Sequence, residues 1–343
     1  MTPRAAIIGL SGLRLTAEEA ALLRARRPVG AILFARNVAE PGQLRALTGE
    51  IRDILGAEAP ILVDQEGGRV ARLKPPQWER FPPAAAFEHA PEAALRANAE
   101  LLGRVCREVG LDVVCAPVLD LRLPGAHGVI GDRAFSEDPA VIARLGAAFV
   151  AGLQAAGAIP VIKHIPGHGR ALADSHHELP RVTASVADLA ADIAPFQALA
   201  GSGAWAMTAH VLYEAWDRAL PATISPVVIR DIIRGEIGFE GVLVTDDLAM
   251  GALAGASNDL ASAALAAGCD LVLHCTGRLG DTAALLADCP TLTDRAAERL
   301  AQARAMTEAF HGRRPDALRA LRDAALGALA AVAPGDDPTA RPA

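Results

Sequence analysis

The segment from residue 163 to residue 178 has the densest grouping of side chains that could do chemistry. It holds four of the nine histidines in the chain, one of its two lysines and an aspartate: Lys163, His164, His168, Asp174, His176 and His177. An aspartate two residues before a histidine can reach the imidazole, fix its tautomer and favour its protonated form. The pair Asp174 and His176 therefore indicates a group that donates and accepts protons near neutral pH.

The same histidines could instead bind a metal, because two histidines four residues apart on a helix can hold zinc. The proline and glycines in Ile165-Pro166-Gly167-His168-Gly169 disfavour a helix, so His164 and His168 do not share a helix face. The sequence favours a fixed strand end followed by a glycine-hinged arm that carries Asp174 and His176. We expect no metal and no cofactor, and a zinc-dependent hydrolase stays as the more distant alternative.

Two neighbouring aspartates follow another apolar run, at residues 242–245. Successive side chains at the end of a strand point in opposite directions, so only one of the two is expected to face a site. Asp246, the first after the run, is the better candidate for that position. Asp247 is expected to cap the helix that follows.

Two further segments bring positive charge close to a carboxylate. Asp64 follows an apolar run, and the glycine pair shortly after it allows a close turn that returns Arg69 or Arg72 toward it. Arg133 lies in a glycine-bearing loop after the fourth apolar run. A carboxylate with arginine and lysine donors around a pocket is suited to binding the hydroxyl groups of a sugar ring.

Eight short apolar runs recur along the chain and must position these residues. They lie at residues 6–10, 31–34, 61–63, 113–116, 159–162, 204–208, 242–245 and 271–273. Runs that are apolar throughout are typical of strands buried on both faces of a parallel sheet. Segments with helical spacing lie between them, at residues 16–27, 91–109, 139–156 and 225–237.

This alternation predicts an α/β fold, a (β/α)8 TIM-type barrel whose active site lies at the carboxyl ends of the strands. Ionisable residues follow five of the eight runs, in agreement with that rule. The main alternative is an open, doubly wound sheet, which would usually carry a G-x-G-x-x-G turn after its first strand. Gly9-Leu10-Ser11-Gly12 does not have that pattern.

Composition limits the partners of the protein. The 343 residues carry a net charge of −7 and only twelve aromatic residues, which argues against nucleic acid as a partner. No apolar run approaches the ~20 residues of a membrane span, and the amino terminus lacks the features of a signal peptide. The five cysteines have no C-x-x-C spacing and suit buried, reduced thiols. We expect a cytoplasmic monomer with a catalytic barrel over residues 1–313 and a C-terminal helix and frayed tail over residues 314–343.

Taken together, the motifs of this chain resemble glycoside hydrolase family 3, and most of all its single-domain bacterial β-N-acetylhexosaminidases. The motifs are Asp64-Gln65-Glu66-Gly67-Gly68-Arg69-Val70, Ala116-Pro117-Val118-Leu119-Asp120, Val129-Ile130-Gly131-Asp132-Arg133, Lys163-His164-Ile165-Pro166-Gly167-His168-Gly169, Asp174-Ser175-His176 and Thr245-Asp246-Asp247-Leu248-Ala249-Met250. The resemblance implies a retaining mechanism on terminal β-linked N-acetylglucosamine. In that mechanism Asp246 is the nucleophile and His176 is the acid/base, supported by Asp174. The implied sugar-binding residues are Asp64, Arg72, Arg133, Lys163 and His164.

The resemblance also implies a role in cell-wall recycling, with muropeptide fragments of the GlcNAc–anhydroMurNAc type as the carbohydrate substrate. Phosphorolysis stays open, because an Asp–His pair leaves less negative charge near the acceptor than a glutamate would. A sugar-binding barrel without catalytic activity is a further alternative.

Lys163 is one of only two lysines in an arginine-rich chain, which suggests a site where arginine cannot replace it.

Overall fold

The computed structural model describes residues 2–125, 128–175, 178–254, 259–306, 314–327 and 337. Its strands are β1 (Arg4–Gly9), β2 (Pro28–Leu33), β3 (Ile61–Val63), β4 (Val113–Val114), β5 (Ile159–Ile165), β6 (Arg181–Val182), β7 (Trp205–Thr208), β8 (Leu212–Tyr213), β9 (Leu243–Asp247) and β10 (Leu271–His274). Eight of them form a closed parallel barrel in the order β1-β10-β9-β7-β5-β4-β3-β2. The short strands β6 and β8 pair with each other outside the barrel. The predicted (β/α)8 barrel is confirmed, and each predicted apolar run overlaps one barrel strand.

The helices between the strands cover the outside of the barrel. They are α1 (Ala17–Arg26), α2 (Pro41–Leu55), α3 (Glu92–Arg107), α4 (Pro139–Ala155), α5 (Val186–Leu199), α6 (Leu260–Ala267), α7 (Leu279–Asp288), α8 (Asp294–Ala305) and α9 (Pro315–Leu326). Thr16 accepts a hydrogen bond from the backbone of Glu19 and completes a capping box at the start of α1. Ser225 Oγ accepts a hydrogen bond from the Val228 backbone, ahead of a helix of π type at Val228–Glu236.

Alternate strand residues fill the inside of the barrel with apolar side chains. Ile7, Leu62, Val161, Trp205 and Val244 belong to this interior cluster, and all of them are fully buried. The other strand residues pack outward against the helices in a larger cluster. The polar side chains of the site therefore lie above a closed apolar floor, at the carboxyl ends of the strands.

Two strands extend further than the sequence predicts. β5 runs to Ile165, so Lys163 and His164 belong to the strand and do not follow it. β9 likewise includes both Asp246 and Asp247. Polar residues continue these strands because the neighbouring strands still offer hydrogen bonds: Lys163 is in register with Met207 of β7.

The last described helix, α9, packs against α3 and buries Leu318 and Leu326. It lies within the segment expected to form a C-terminal helix and tail, but residues 328–336 and 338–343 lie outside the described residues. Among the described helices, none is both long enough and apolar enough to cross a lipid bilayer.

Candidate active site

A pocket opens at the carboxyl ends of the barrel strands and collects most of the predicted site residues. It contains about 630 Å³ of space not filled by atoms, part of it open to solvent. Its lining includes Asp64, Arg133, Lys163, His164 and Asp246. A larger cleft at the amino ends of the strands is lined by other residues, among them Arg52 and Arg104, which pair with nearby carboxylates.

Two carboxylates hold the ammonium group of Lys163 at the floor of the pocket. The Nζ atom lies 3.0 Å from Asp64 Oδ1 and 2.7 Å from Glu66 Oε1, and the lysine side chain is only 2 % exposed. Arg133 donates to both oxygens of Glu66 at 2.8 Å. Arg72 donates to Asp64 Oδ2 at 3.1 Å. The result is a buried network of three cations and two carboxylates.

The charges of this network stabilise one another. Burial raises the pKa of Glu66, but Arg133 and Lys163 outweigh it and lower the pKa to about 2. Burial likewise opposes ionisation of Asp64, and Lys163 and Arg72 nevertheless hold its pKa well below its usual range. The pKa of Lys163 is raised, because the two carboxylates outweigh the effect of burial. All three groups are therefore charged at neutral pH.

Arg72 also contacts the C-terminal segment. Its Nη1 atom donates a hydrogen bond of 2.6 Å to the carboxylate of Asp337. The guanidinium also lies over the ring of Phe34, at 5.4 Å from the ring centroid. Arg72 thus lies between Asp64 and Asp337 in this structure.

The loop that carries Arg133 is held in place by a second arginine. Arg69 donates to the Asp132 carboxylate at 2.7 Å and to the backbone carbonyls of Gly128, Val129 and Ile130. These bonds turn Val129 and Ile130 into the pocket as an apolar wall beside the charged network. Arg69, which the sequence offered as an alternative to Arg72, orders this loop, whereas Arg72 reaches Asp64.

A buried aspartate orients His164. Its Nδ1 atom lies 2.6 Å from Asp120 Oδ2, and Asp120 Oδ1 accepts the backbone N–H groups of His164 and His168. Burial raises the pKa of Asp120, but the neighbouring His164 outweighs it, so the pKa is lowered. An ionised carboxylate only accepts hydrogen bonds, so Nδ1 of His164 carries a proton and Nε2 is directed elsewhere.

Asp246 and Asp247 end β9 side by side in different environments. Asp246 is half-buried, whereas Asp247 is almost fully buried. Asp247 Oδ1 accepts the backbone N–H groups of Ala249 and Cys275, and its carbonyl lies 3.0 Å from Nε2 of His210. Asp247 therefore fixes a turn and the neighbouring strand, and does not cap a helix as expected. Asp246 is left as the more accessible carboxylate at this strand end.

The arm that follows β5 returns to the pocket at Ser175. Asp174 is half-buried, and Ser175 is buried and lines the pocket. His176 and His177 lie outside the described residues, so the structure does not describe the predicted pairing of Asp174 and His176. Among the residues that are described, no three His, Cys, Asp or Glu side chains are grouped to hold a metal ion.

Sequence reasoning gave no role to Glu66 and Asp120, which prove central to the site. Glu66 lies two residues after Asp64, a spacing that often directs two side chains to the same side of an extended segment. Asp120 comes a few residues after the fourth strand, whereas Asp64 directly follows the third. Both signals are present in the sequence, but neither distinguishes a buried partner from a surface carboxylate.

This arrangement can bind a ring of hydroxyl groups and present a carboxylate to it. Charged donors and acceptors line one wall, the apolar residues Val129 and Ile130 line another, and Asp246 stands at the end of β9. A carboxylate beside a bound sugar ring is the equipment of a glycosidase that forms a covalent intermediate.

Known proteins are similar to this chain in sequence and in fold. Residues 5–304 match the family described as Glycosyl hydrolase family 3 N terminal domain. The chain is 44% identical over 280 residues to a beta-hexosaminidase from Alkalilimnicola ehrlichii, covering 78% of this chain and 80% of that protein. It is 42% identical over 287 residues to one from Pseudomonas aeruginosa, covering 82% of this chain and 85% of that protein.

A solved structure is similar over nearly its whole length. NagZ from Neisseria gonorrhoeae, in complex with N-trifluoroacetyl-D-glucosamine, superposes with a TM-score of 0.84 at 32% identity. The match covers 97% of this chain and 99% of that one. Sequence and fold agree, and the chain belongs to glycoside hydrolase family 3.

Proposed function

We propose that this glycoside hydrolase is a retaining exo-β-N-acetylglucosaminidase. Its class, a β-N-acetylhexosaminidase, agrees with its family and with the names of its relatives. The observation that carries the proposal is the half-buried Asp246 carboxylate, which shares a pocket with the network of Asp64, Lys163 and Arg133. The network is suited to holding a sugar ring, and Asp246 to reacting with it.

The reaction proceeds through two displacements at the anomeric carbon. Asp246 attacks that carbon, the bond to the leaving oxygen breaks, and His176 gives its proton to that oxygen. His176 then removes a proton from water, which attacks the same carbon and releases Asp246 from the glycosyl ester. The sum is hydrolysis of one glycosidic bond by one water. Asp174 supports His176 by favouring its protonated form before the first step.

The five sugar-binding residues divide the work by geometry. Lys163 is a compact donor that reaches hydroxyl groups while Asp64 and Glu66 neutralise it. Asp64 accepts hydroxyl hydrogen bonds, and Arg72 and Arg133 donate them. His164 lines the pocket, its Nδ1 atom is bound to Asp120, and its Nε2 atom is the one that can bond the sugar.

The finer substrate is part of the same proposal. We propose that the enzyme removes N-acetylglucosamine from muropeptide fragments of the GlcNAc–anhydroMurNAc type during cell-wall recycling in the cytoplasm. The similarity to bacterial beta-hexosaminidases, along 80% and 85% of their length, supports an N-acetylhexosaminide as the substrate. Cell fractionation with product analysis on purified muropeptides tests the location and the substrate together.

Trapping the intermediate tests the nucleophile. A 5-fluoro N-acetylglucosaminyl derivative with a good leaving group should label the enzyme, and digestion with mass spectrometry should place the label on Asp246. Asp246→Asn should take no label and should lose at least about a thousandfold in kcat on an aryl N-acetyl-β-glucosaminide. A label on Asp247, its neighbour in β9, would contradict the assignment.

The alternatives give different products or requirements. Phosphorolysis would yield the sugar 1-phosphate as the main product when inorganic phosphate is present, whereas we expect free N-acetylglucosamine with and without phosphate. A zinc-dependent hydrolase would lose activity to a chelator and recover it with zinc. A sugar-binding barrel without catalysis would bind N-acetylglucosamine and turn over no substrate.

A further inference from the structure

His168 is fixed at the start of the arm that leads from β5 to Ser175. Its backbone N–H donates to Asp120 Oδ1 at 2.6 Å, and Tyr213 donates its hydroxyl to the carbonyl of the preceding Gly167 at 2.6 Å. Gly169 lies so close to the Leu121 backbone that a Cβ atom there would approach the Leu121 carbonyl oxygen to 2.4 Å. Asp120, Tyr213 and Leu121 thus hold His168 in one place, almost fully buried.

Ser175 receives a bond on each side. Its hydroxyl lies 3.3 Å from Nε2 of His168, and its backbone carbonyl accepts the N–H of Ala252 at 3.1 Å. Ala252 lies in a short turn of helix shortly after β9, the strand that carries Asp246. Ser175 therefore connects the arm carrying Asp174 to the fixed start of that arm and to the segment after the nucleophile strand.

The imidazole of His168 is suited to a neutral hydrogen bond. Burial, and then the nearby His164, lower its pKa to about 4 although Asp120 and Asp246 act in the opposite direction. Its Nδ1 atom is buried and makes no hydrogen bond to any residue that the structure describes. Within the described residues, the hydrogen bond of the imidazole ring is therefore the one from Nε2 to Ser175. Through this bond the side chain can anchor the arm.

We propose that His168 is a positioning residue, whose bond to Ser175 sets the place of the acid/base arm relative to Asp246. The inference rests on the proposed function, in which Asp174 and the next but one residue, His176, supply the proton. His168 transfers no proton itself. It acts through Ser175, the residue between that pair in the sequence.

This role affects one part of the reaction. Protonation of the leaving oxygen matters when the leaving group is a poor one and matters little for an activated phenol. Loss of the anchor should therefore reduce turnover of substrates with poor leaving groups and spare those with good ones. Loss of a residue that only supports the fold would reduce the turnover of all substrates alike and lower the melting temperature.

The test compares Ser175→Ala and His168→Leu with the wild type on a series of aryl N-acetyl-β-glucosaminides. We expect kcat/KM to fall about tenfold to a hundredfold for the least acidic phenols and less than about threefold for dinitrophenol. General acid catalysis typically accelerates a reaction by about 10²- to 10⁴-fold, and the variants should lose part of that factor. His168→Gln, which carries an amide near the position of Nε2, should keep most of the activity on poor leaving groups. His168→Gln is also the milder change. The two single variants His168→Gln and Ser175→Ala therefore keep the test valid if His168→Leu fails to fold.

The double variant decides whether the two residues act through one bond. His168→Leu with Ser175→Ala should be no worse than the poorer single variant, because both remove the same contact. Three results would overturn the positioning role. They are an equal fall in kcat/KM for every leaving group, no fall for any of them, or a double variant whose loss is the product of the two single losses. Failure of the proposed function would give a different result. Asp246→Asn would then keep its turnover of the dinitrophenyl substrate, and the positioning role would be rejected together with the proposed function.

Discussion

Glu66 holds the guanidinium of Arg133 through two parallel hydrogen bonds of 2.8 Å, with both side chains at most 6 % exposed. The same carboxylate lies 2.7 Å from Lys163. One buried negative charge thus serves two buried cations. Breaking such a pair by removing one partner leaves an uncompensated charge in the interior.

Glu66→Gln is therefore expected to destabilise the protein by about 3 kcal/mol, because Arg133 loses the carboxylate that it pairs with and Lys163 loses one of its two. Urea unfolding at neutral pH measures the loss. Glu240→Gln is the matched control: Glu240 also pairs with arginine, but its side chain is 63 % exposed. That variant should lose less than about 1 kcal/mol. Equal losses in the two variants would contradict the buried role of Glu66.

The stabilising effect of Glu66 should depend on pH in one direction. Its pKa is lowered from 4.5 to about 2, so its contribution is complete above pH 4.5 and is lost as the pH falls through about 2. The difference in unfolding free energy between wild type and Glu66→Gln should shrink over that window by up to about 3 kcal/mol. Urea unfolding of both proteins at pH 5, 4 and 3 measures it. A constant or growing difference would show that the charge of Glu66 does not stabilise the fold.

The barrel could be predicted from the sequence because its strands are apolar throughout. Residues such as Ile61, Leu62 and Val63 are buried on both sides of the sheet, so the strand is a continuous apolar run in the sequence. Such a run can be recognised without knowing which strands pair with it. The cap at Thr16 was equally local, since its partner Glu19 lies three residues away.

The partners within the site were harder to predict because their contacts are not local. Asp120 meets His164 only because residues 116–120 run beside β5 after β4 has ended, with the Leu119 N–H donating to the Lys163 carbonyl. The roles of Asp246 and Asp247 also depend on tertiary structure, since Asp247 accepts the N–H of Cys275, just after β10, and does not cap a following helix. Whether His176 stands beside Asp174 stays a prediction.

Asp120→Asn should impair the site through His164. The two oxygens of Asp120 accept from three N–H groups, and an amide places a donor against at least one of them whichever way it turns. We expect kcat/KM to fall about a hundredfold, mainly through KM, since His164 would lose its orientation toward the sugar. Steady-state kinetics on an aryl N-acetyl-β-glucosaminide measures both constants.

Asp112→Asn is the control for that prediction. Asp112 is a carboxylate at the opposite end of the barrel, where it accepts the Ile61 N–H and pairs with Arg52. Its loss should lower stability and leave KM within about twofold of the wild type, because it is remote from the pocket. A similar rise in KM in both variants would show that Asp120 acts through the fold alone.

Lys163→Arg should be far more damaging than its conservative appearance suggests. The ammonium group fits between Asp64 and Glu66 at 3.0 and 2.7 Å in a site that is 2 % exposed, whereas a guanidinium is larger, planar and needs parallel acceptors. We expect kcat/KM to fall more than about a hundredfold and stability by about 1–3 kcal/mol from overpacking. The chain offers its own control in the other lysine, the exposed Lys74, where Lys74→Arg should match the wild type in kinetics and melting temperature. Retained activity in Lys163→Arg would mean that the pocket requires a positive charge there but not its compact shape.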